Sequence, residues 1–291
     1  MAGQNSVYES AHKGDYDFVK NEVDADPELV FKEDNNKRLL LHWAALSGNV
    51  KLVEYLLEKK SPVDADDDNE STPLILAASA GRTEIVKILI SKGANVNHTT
   101  SQGHSSLQYA SSKAWDEIVQ ILLDNSADIN IADVRGATPL HRAASKGNLT
   151  TVKILLKYKD KLKIDHRDIY GNTALHLACE EDRQDEAKLL IEHGASLDVR
   201  NLDRNTPLDL CSRTLLKIIT SLTSQLELDV KEYNEEVDEQ LRWKRKKLET
   251  QMQMEEIKPS KVKAMIISGS RKKLRSAGDV GLNIILLSRL D

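Results

Sequence analysis

Cysteine is nearly absent from this 291-residue sequence. The two that occur, Cys179 and Cys211, form neither a disulfide framework nor a C-x-x-C pair. That excludes a small stapled secreted scaffold and points to a reducing compartment, cytoplasmic and nuclear. Aromatic residues make up only 4% against 40% hydrophobic residues overall, which suits thin helical layers of Leu, Ile, Val and Ala better than one thick core. No apolar run approaches the roughly 18 residues that cross a bilayer, and the opening M-A-G-Q-N-S-V-Y-E-S lacks the charged-then-apolar pattern of a signal peptide. Membrane association is therefore not expected. Glycine-rich phosphate loops, nucleophile elbows and second metal-ligand clusters are missing too, so no catalytic residue, cofactor or metal is assigned. The chain also lacks excess positive charge: its formal net charge is −5, and residues 1–100 carry 11 Lys and Arg against 17 Asp and Glu. Negative charge along the chain opposes binding to phosphate backbones, which argues against a nucleic-acid partner.

What the sequence does contain is a period. Leu41, Leu74, Leu107 and Leu140 fall 33 residues apart, Leu175 follows after 35, and Leu208 after a further 33. Each sits in a recurring phrase, L-L-L-H-W-A-A, T-P-L-I-L-A-A, S-S-L-Q-Y-A-S, T-P-L-H-R-A-A, T-A-L-H-L-A-C and T-P-L-D-L-C-S. Thr72 and Thr138 are N-cap residues, and Pro73 and Pro139 stand at the first helical position, where a missing N–H costs nothing. A second helix follows in each unit, because Val53/Leu56/Leu57, Val86/Leu89/Ile90, Val119/Leu122/Leu123, Val152/Leu155/Leu156 and Ala187/Leu190/Ile191 keep the i, i+3, i+4 spacing of one apolar face. Gly48, Gly81 and Gly147 punctuate the helix pairs; Gly93 and Gly194 suit left-handed caps. Polar stretches from Asp64 to Ser71 and Asn95 to Gly103 connect one unit to the next.

The period and the T-P-L-H-x-A phrase resemble the ankyrin repeat. The resemblance implies an all-α repeat solenoid of about seven helix-turn-helix units with projecting β-turns, stabilised by stacking because no unit can bury its apolar face alone. Residues 6–23 read as a degenerate first unit and 207–216 as a truncated last one. A two-residue insertion near Tyr158 to Asp165 only lengthens a loop. Residues 1–227 are expected to form the array and residues 228–291 a charged helical, then disordered, extension. The acidic run Asp64, Asp66, Asp67, Asp68 and Glu70 lies on one inter-repeat turn, while Arg38, Lys113, Arg135, Arg142 and Lys146 are candidates for the concave side. Together they imply a partner surface of mixed sign, the alternative being solvated turn and helix charges.

A closer resemblance lies partly outside the repeat phrase. L-H-W-A at 41–44, A-A-S-A-G-R at 77–82, E-I-V-K at 84–87, H-R-A-A-S-K-G-N-L at 141–149, G-N-T-A-L-H-L-A-C-E-E at 171–181 and E-A-K-L-L at 186–190 are similar to the gankyrin family of proteasome regulatory subunits. The resemblance implies a non-enzymatic, monomeric chaperone for assembly of the proteasome regulatory particle, whose concave face binds the C-terminal domain of a base ATPase subunit. It also implies a runner-up, an adaptor of a cyclin-dependent kinase, the retinoblastoma protein or p53 turnover. The family's basic contacts correspond to Arg38 and Lys113, and its acidic contacts to Asn36 and Asp68. Asn36 departs from the pattern by being neutral, as do Glu70 and Ser71, where the family has Gly-Trp, and Leu40, where it has a small residue or proline.

Leu177, Cys179 and Glu181 spell L-x-C-x-E, which the resemblance links to the retinoblastoma pocket. The string falls in an expected helix, where residues two apart point about 200° apart, so Leu177 and Cys179 cannot enter one groove together. A structural role is the favoured reading. His176 and Cys179 have the spacing of a metal or thiol–imidazole pair, but His176 shares its phrase position with His42 and His141, which argues for an architectural role. In the extension, Val230, Tyr233, Val237, Leu241, Leu248 and Met252 recur at helical spacing, with acidic residues preceding basic ones as the helix dipole favours. R-W-K-R-K-K at 242–247 fits a nuclear-import patch or a solvated helix face.

Overall fold

A computed structural model describes residues 6–255. Six helix pairs follow one another: α1 (Val7–Lys13) with α2 (Tyr16–Ala25), α3 (Leu40–Ser47) with α4 (Val50–Glu58), and α5 (Pro73–Ser79) with α6 (Thr83–Ser91). Then come α7 (Ser106–Ser112) with α8 (Asp116–Asp124), α9 (Pro139–Lys146) with α10 (Leu149–Leu156), and α11 (Ala174–Glu180) with α12 (Gln184–Glu192). A seventh, truncated unit opens with a 3₁₀ turn at Pro207–Leu210 and continues into α13 (Arg213–Glu255). The first helix of each pair packs on the first helix of the next, and more closely than second helices pack on one another. The stack therefore curves toward its first helices, which form the inner face.

The periodic leucines explain why it stacks. Leu41, Leu74, Leu107, Leu140 and Leu175 are all buried, whereas Leu208, in the truncated unit, is half-buried. Each fully covered leucine contributes roughly 1.5 to 3 kcal/mol, and its cover comes from the neighbouring unit. Thr72 caps α5 by accepting from the Ile75 amide, and Gly48 and Gly147 close α3 and α9 in the left-handed conformation. Leu40 occupies the first position of α3 and is fully buried. The insertion near Tyr158 is anchored to the preceding unit: Gln120 donates to the Tyr158 hydroxyl at 2.8 Å, and Asn130 donates to the Lys161 carbonyl at 2.7 Å.

Between pairs the chain makes six five-residue fingers, 34–38, 67–71, 100–104, 133–137, 168–172 and 201–205. In each, the first residue's amide donates to the fifth residue's carbonyl and the fourth residue's amide donates back to the first, at 2.7–3.1 Å throughout. The fourth residue is left-handed in every finger: Lys37, Glu70, Gly103, Gly136, Gly171 and Arg204. Glycine is needed where neighbours approach, since a Cβ on Gly103 would stand 2.8 Å from the Asp133 Cα. Successive fingers are joined by one further bond each, from the amides of Asp68, Ser101, Val134, Ile169 and Leu202 to the carbonyls of Asn36, Asn69, Gln102, Arg135 and Tyr170.

Helix α13 runs without interruption through residues 227 and 228, so the expected boundary between array and extension falls inside one helix. Leu215 and Ile219 are buried against the array, and farther along Asp238, Arg242, Trp243 and Lys244 are exposed. Among the described residues, no helix is long and apolar enough to cross a membrane. The expectation of disorder beyond Pro259 concerns positions outside the described residues.

Candidate interaction surface

The inner face is organised by carboxylates at the first position of the fingers. One oxygen of Asp34, Asp67, Asp133 and Asp168 accepts from the amides two and four residues ahead, at 2.7–3.0 Å, which fixes the turn. In three of the four the other oxygen takes a side-chain donor. Asp34 takes the Trp43 indole N–H at 2.8 Å, Asp67 takes Arg38 Nε at 2.9 Å, and Asp133 takes the Arg142 guanidinium. The carboxylates of Asp67 and Asp133 are wholly buried. Burial pushes both carboxyl pKa values up, but the arginine partners and backbone amides outweigh it and hold both below the usual carboxylate range. Asp67 is therefore unlike its neighbours in the acidic run: Asp68 and Glu70 are exposed, while Asp67 is an internal anchor.

These contacts divide the expected partner-binding residues into three groups. Arg38, Asn36 and Asp68 lie at fingers 1 and 2, where the Asp68 amide donates to the Asn36 carbonyl at 3.0 Å and Arg38 stacks 4.8 Å from the Trp43 ring. Arg135 and Arg142 line a shallow depression with Gln102, His104 and Val134, and Lys146 follows one helical turn beyond Arg142 on α9. His104 sits 3.5 Å from Asp133 and 3.3 Å from Arg142; burial and the neighbouring arginines lower its pKa. Lys113 stands apart, at the far end of α7, with its Nζ donating to the Ser79 carbonyl at 2.9 Å. In other units the residue that reaches back this way is Arg82 to Leu46, Asn148 to Ser111 and Arg183 to Ser145. Trp115 occupies that position in the fourth unit and packs over Gly81, so Lys113 supplies the bond instead. Arg38 and Lys113 thus lie at opposite ends of the inner helices, both already engaged within the chain.

The histidines of the repeat phrase hold the inner helices to the fingers. Nδ1 of His42, His141 and His176 accepts from the amide of Leu39, Thr138 and Thr173, and Nε2 donates to the carbonyl of Ser71, Asn172 and Asn205 in the next finger, all at 3.0–3.2 Å. Both ring nitrogens are spent, and burial pushes all three pKa values down, which keeps the rings neutral. Gln108 reproduces the arrangement with its amide, accepting from Ser105 at 2.9 Å and donating to Ala137 at 2.6 Å.

The L-x-C-x-E string lies on α11 and its C-terminal cap. Leu177 is half-buried, Cys179 is 1% exposed and Glu181 is exposed. Cys179 and Cys211 are both free thiols; hydrogen bonding to Cys211, together with burial, keeps the Cys179 thiol protonated. Among the described residues, no group of three or more His, Cys, Asp or Glu could hold a metal. Sequence reasoning missed Asp34 and Asp133 as anchors, although carboxylates recurring at 34, 67, 133 and 168 follow the leucine period. It also missed the tip residues Val134, Ile169, Tyr170 and Leu202, which are all exposed.

Stacked helix pairs with a ladder of fingers and a curved inner face define a protein-binding scaffold of the kind that is typically non-catalytic. The chain belongs to the ankyrin-repeat family: the family model described as "Ankyrin repeats (3 copies)" matches residues 7–100, 97–168 and 159–234. It is similar to the ankyrin repeat domain of human ASB11, with 26% identity and a TM-score of 0.68, over 75% of this chain and 98% of that one. Among curated proteins, it is 44% identical over 54 residues to mouse 26S proteasome non-ATPase regulatory subunit 10, covering 19% of this chain and 23% of that protein. It is also 44% identical over 63 residues to human protein phosphatase 1 regulatory subunit 27, covering 22% of this chain and 40% of that protein. The matched stretches thus span well under half of either curated relative.

Proposed function

We propose that this chain is a non-enzymatic chaperone for assembly of the proteasome regulatory particle, docking the C-terminal domain of a base ATPase subunit on its inner face. The observation that carries the reading is the likeness to the proteasome regulatory subunit of mouse, rat and human, at 43–45% identity over 54 residues. The mixed charge of the inner face supports it. Exposed Arg135 and Lys146 flank half-buried Arg142 on one side, and exposed Asp68 and Asn36 offer acceptors on the other. A partner domain carrying acidic and basic residues over a matching span engages both groups.

Arg38 and Lys113, the basic pair implied by family resemblance, are bonded to Asp67 and Ser79, so reversing them disturbs the fold as well as a partner. Arg135→Glu with Lys146→Glu is the cleaner test. Calorimetry with the purified ATPase C-terminal domain is expected to read at least about tenfold weaker binding, or 1.4 kcal/mol, with an unchanged melting curve. Equal affinities for wild type and variant would remove these residues from the docking site, and no binding by wild type would remove the chaperone reading.

The alternative, an adaptor of a cyclin-dependent kinase, the retinoblastoma protein or p53 turnover, predicts a different set of captured proteins. Affinity purification from native cells followed by mass spectrometry separates the two: free base subunits favour the chaperone, and a kinase without them the adaptor. Cys179→Ala is expected to leave both the fold and any retinoblastoma-pocket affinity nearly unchanged, because the side chain faces the stack.

A further inference from the structure

The second position of each finger is exposed, and along the ladder these positions read Asn35, Asp68, Ser101, Val134, Ile169 and Leu202. The last three are 59%, 53% and 69% exposed, and Tyr170, beside Ile169, is 55% exposed. Aliphatic side chains left in water at one register position of three consecutive units form a row. Nothing in the fold requires them, since fingers 1 to 3 make the same turn, and fingers 2 and 3 the same ladder bonds, with polar residues there. The backbone of Val134, Ile169 and Leu202 is pinned by the amide bonds to Gln102, Arg135 and Tyr170, at 2.9–3.1 Å, so the row is presented on a rigid edge.

We propose that this row is a second docking surface, adjoining the inner-face site at Val134 and Asp68, and that its occupant is an amphipathic helix of a partner protein. Spacing selects the helix. Each finger sets two hydrogen-bonded chain segments side by side and is bonded to the next, so on the spacing of hydrogen-bonded strands the tips recur roughly every 9.6 Å. Seven residues of α-helix advance about 10.5 Å and return to nearly the same face, which puts side chains i, i+7 and i+14 over Val134, Ile169 and Leu202. An extended strand covers a similar distance in about three residues, but its first and fourth side chains point to opposite faces and cannot both meet the row. Area and charge define the rest of the partner. Four partly exposed side chains give roughly a few hundred Å², short of the about 800 Å² per side of a stable complex, so the helix must run on over neighbouring fingers. Toward the N-terminus finger 2 carries exposed Asp68 and Glu70, and Glu33 stands at the entry to finger 1, near exposed Lys37. The matching helix is about 30 residues long, with aliphatic residues seven apart at one end and Lys or Arg at the other.

The probe is a synthetic, fluorescently labelled peptide of that design, titrated into the full-length protein, alongside a scrambled peptide of identical composition. Saturable binding of the designed helix, weakened about tenfold or more by Ile169→Asp and left unchanged by Lys146→Glu on the inner face, supports the proposal. Because Ile169 is exposed, the variant should melt like wild type; Ile169→Val, which keeps the apolar surface, should keep most of the affinity. Equal binding of the scrambled peptide, or indifference to Ile169→Asp, overturns it. Hydroxyl-radical footprinting of the protein alone tests the competing occupants. Val134, Ile169 and Leu202 should label freely whether the solution is dilute or concentrated. Protection at every concentration would mean that the chain's own C-terminal segment covers the row, and protection only when concentrated would mean a second copy does; either result overturns the proposal.

Discussion

Fingers 1 and 2 and fingers 4 to 6 share one backbone trace and one ladder of hydrogen bonds, yet they differ at the two positions where side chains are free to vary. The first set has Lys37 and Glu70 in the left-handed position and Asn35 and Asp68 at the tip; the later set has Gly136 and Gly171 there in fingers 4 and 5, and Val134, Ile169 and Leu202 at the tip. The turn is therefore enforced by the first residue and the ladder, while the tip answers to something outside the fold. Where glycine occurs it also answers to a neighbour: a Cβ on Gly103 or Gly136 would stand 2.8 or 3.0 Å from the Cα of Asp133 or Asp168. The same turn can thus be dispensable in one unit and tightly constrained in another.

The largest effect is expected from removing an anchor. Asp133→Ala removes two hydrogen bonds accepted from the Arg135 and Ala137 amides and strands Arg142 in a half-buried site, so urea unfolding should show a loss of about 3 to 5 kcal/mol. Thr100→Ala, the equivalent change in finger 3, removes one 3.2 Å bond to a neutral hydroxyl and should lose about 1 kcal/mol. Similar losses for the two would sink the idea that the buried carboxylate dominates. Next comes Gly103→Ala, expected to cost about 2 to 4 kcal/mol from a left-handed backbone and a Cβ pressed on Asp133; a melting temperature equal to wild type would show that the fingers can spread.

A pH titration sharpens the comparison further. His42, His141 and His176 have folded pKa values depressed by burial, so the unfolded chain protonates first. Stability is then complete above the ordinary imidazole value of about 6.5 and falls as pH drops below it, by up to about 1.4 kcal/mol per pH unit for each histidine. Fingers 2, 5 and 6 are held by these rings, whereas finger 4 is held by Gln108. His141→Gln should keep the neutral-pH stability and flatten the acid slope by about one histidine's share; an unaltered slope would exclude this ring as a source. The smallest effect is a gain. Glu70 is left-handed at φ 58, so Glu70→Gly should stabilise by about 1 kcal/mol, read as a rise in melting temperature, and no rise would mean its side chain compensates for the strain.

The repeat was legible because its determinants are local. Leucines 33 residues apart, Thr-Pro at helix starts and i, i+3, i+4 apolar triplets act within one unit, and those helices form as their spacing implies. The shared role of His42, His141 and His176 was legible for the same reason, since each ring bonds to an amide three residues before it. The site was less legible because its contacts cross units. Arg38 meets Asp67 29 residues away and Lys113 meets the Ser79 carbonyl 34 residues away, so both read from the chain as free charges. The continuity of α13 across residue 228 reflects the absence of glycine and proline from 209 to 258, a signal present in the sequence but overshadowed by the end of the repeat phrase.

The sequence by itself determined the unit: its length, its two helices, its caps and the apolar face that forces stacking. Tertiary structure alone decided which charges remain available to a partner and which are spent inside. Stacking brings the Asp67 carboxylate against Arg38 of the preceding unit and the Asp133 carboxylate against Arg142 of its own, and burial there makes those pairings obligatory. It also aligned Val134, Ile169 and Leu202, three residues scattered along the chain, into one exposed edge, because only the ladder sets their register.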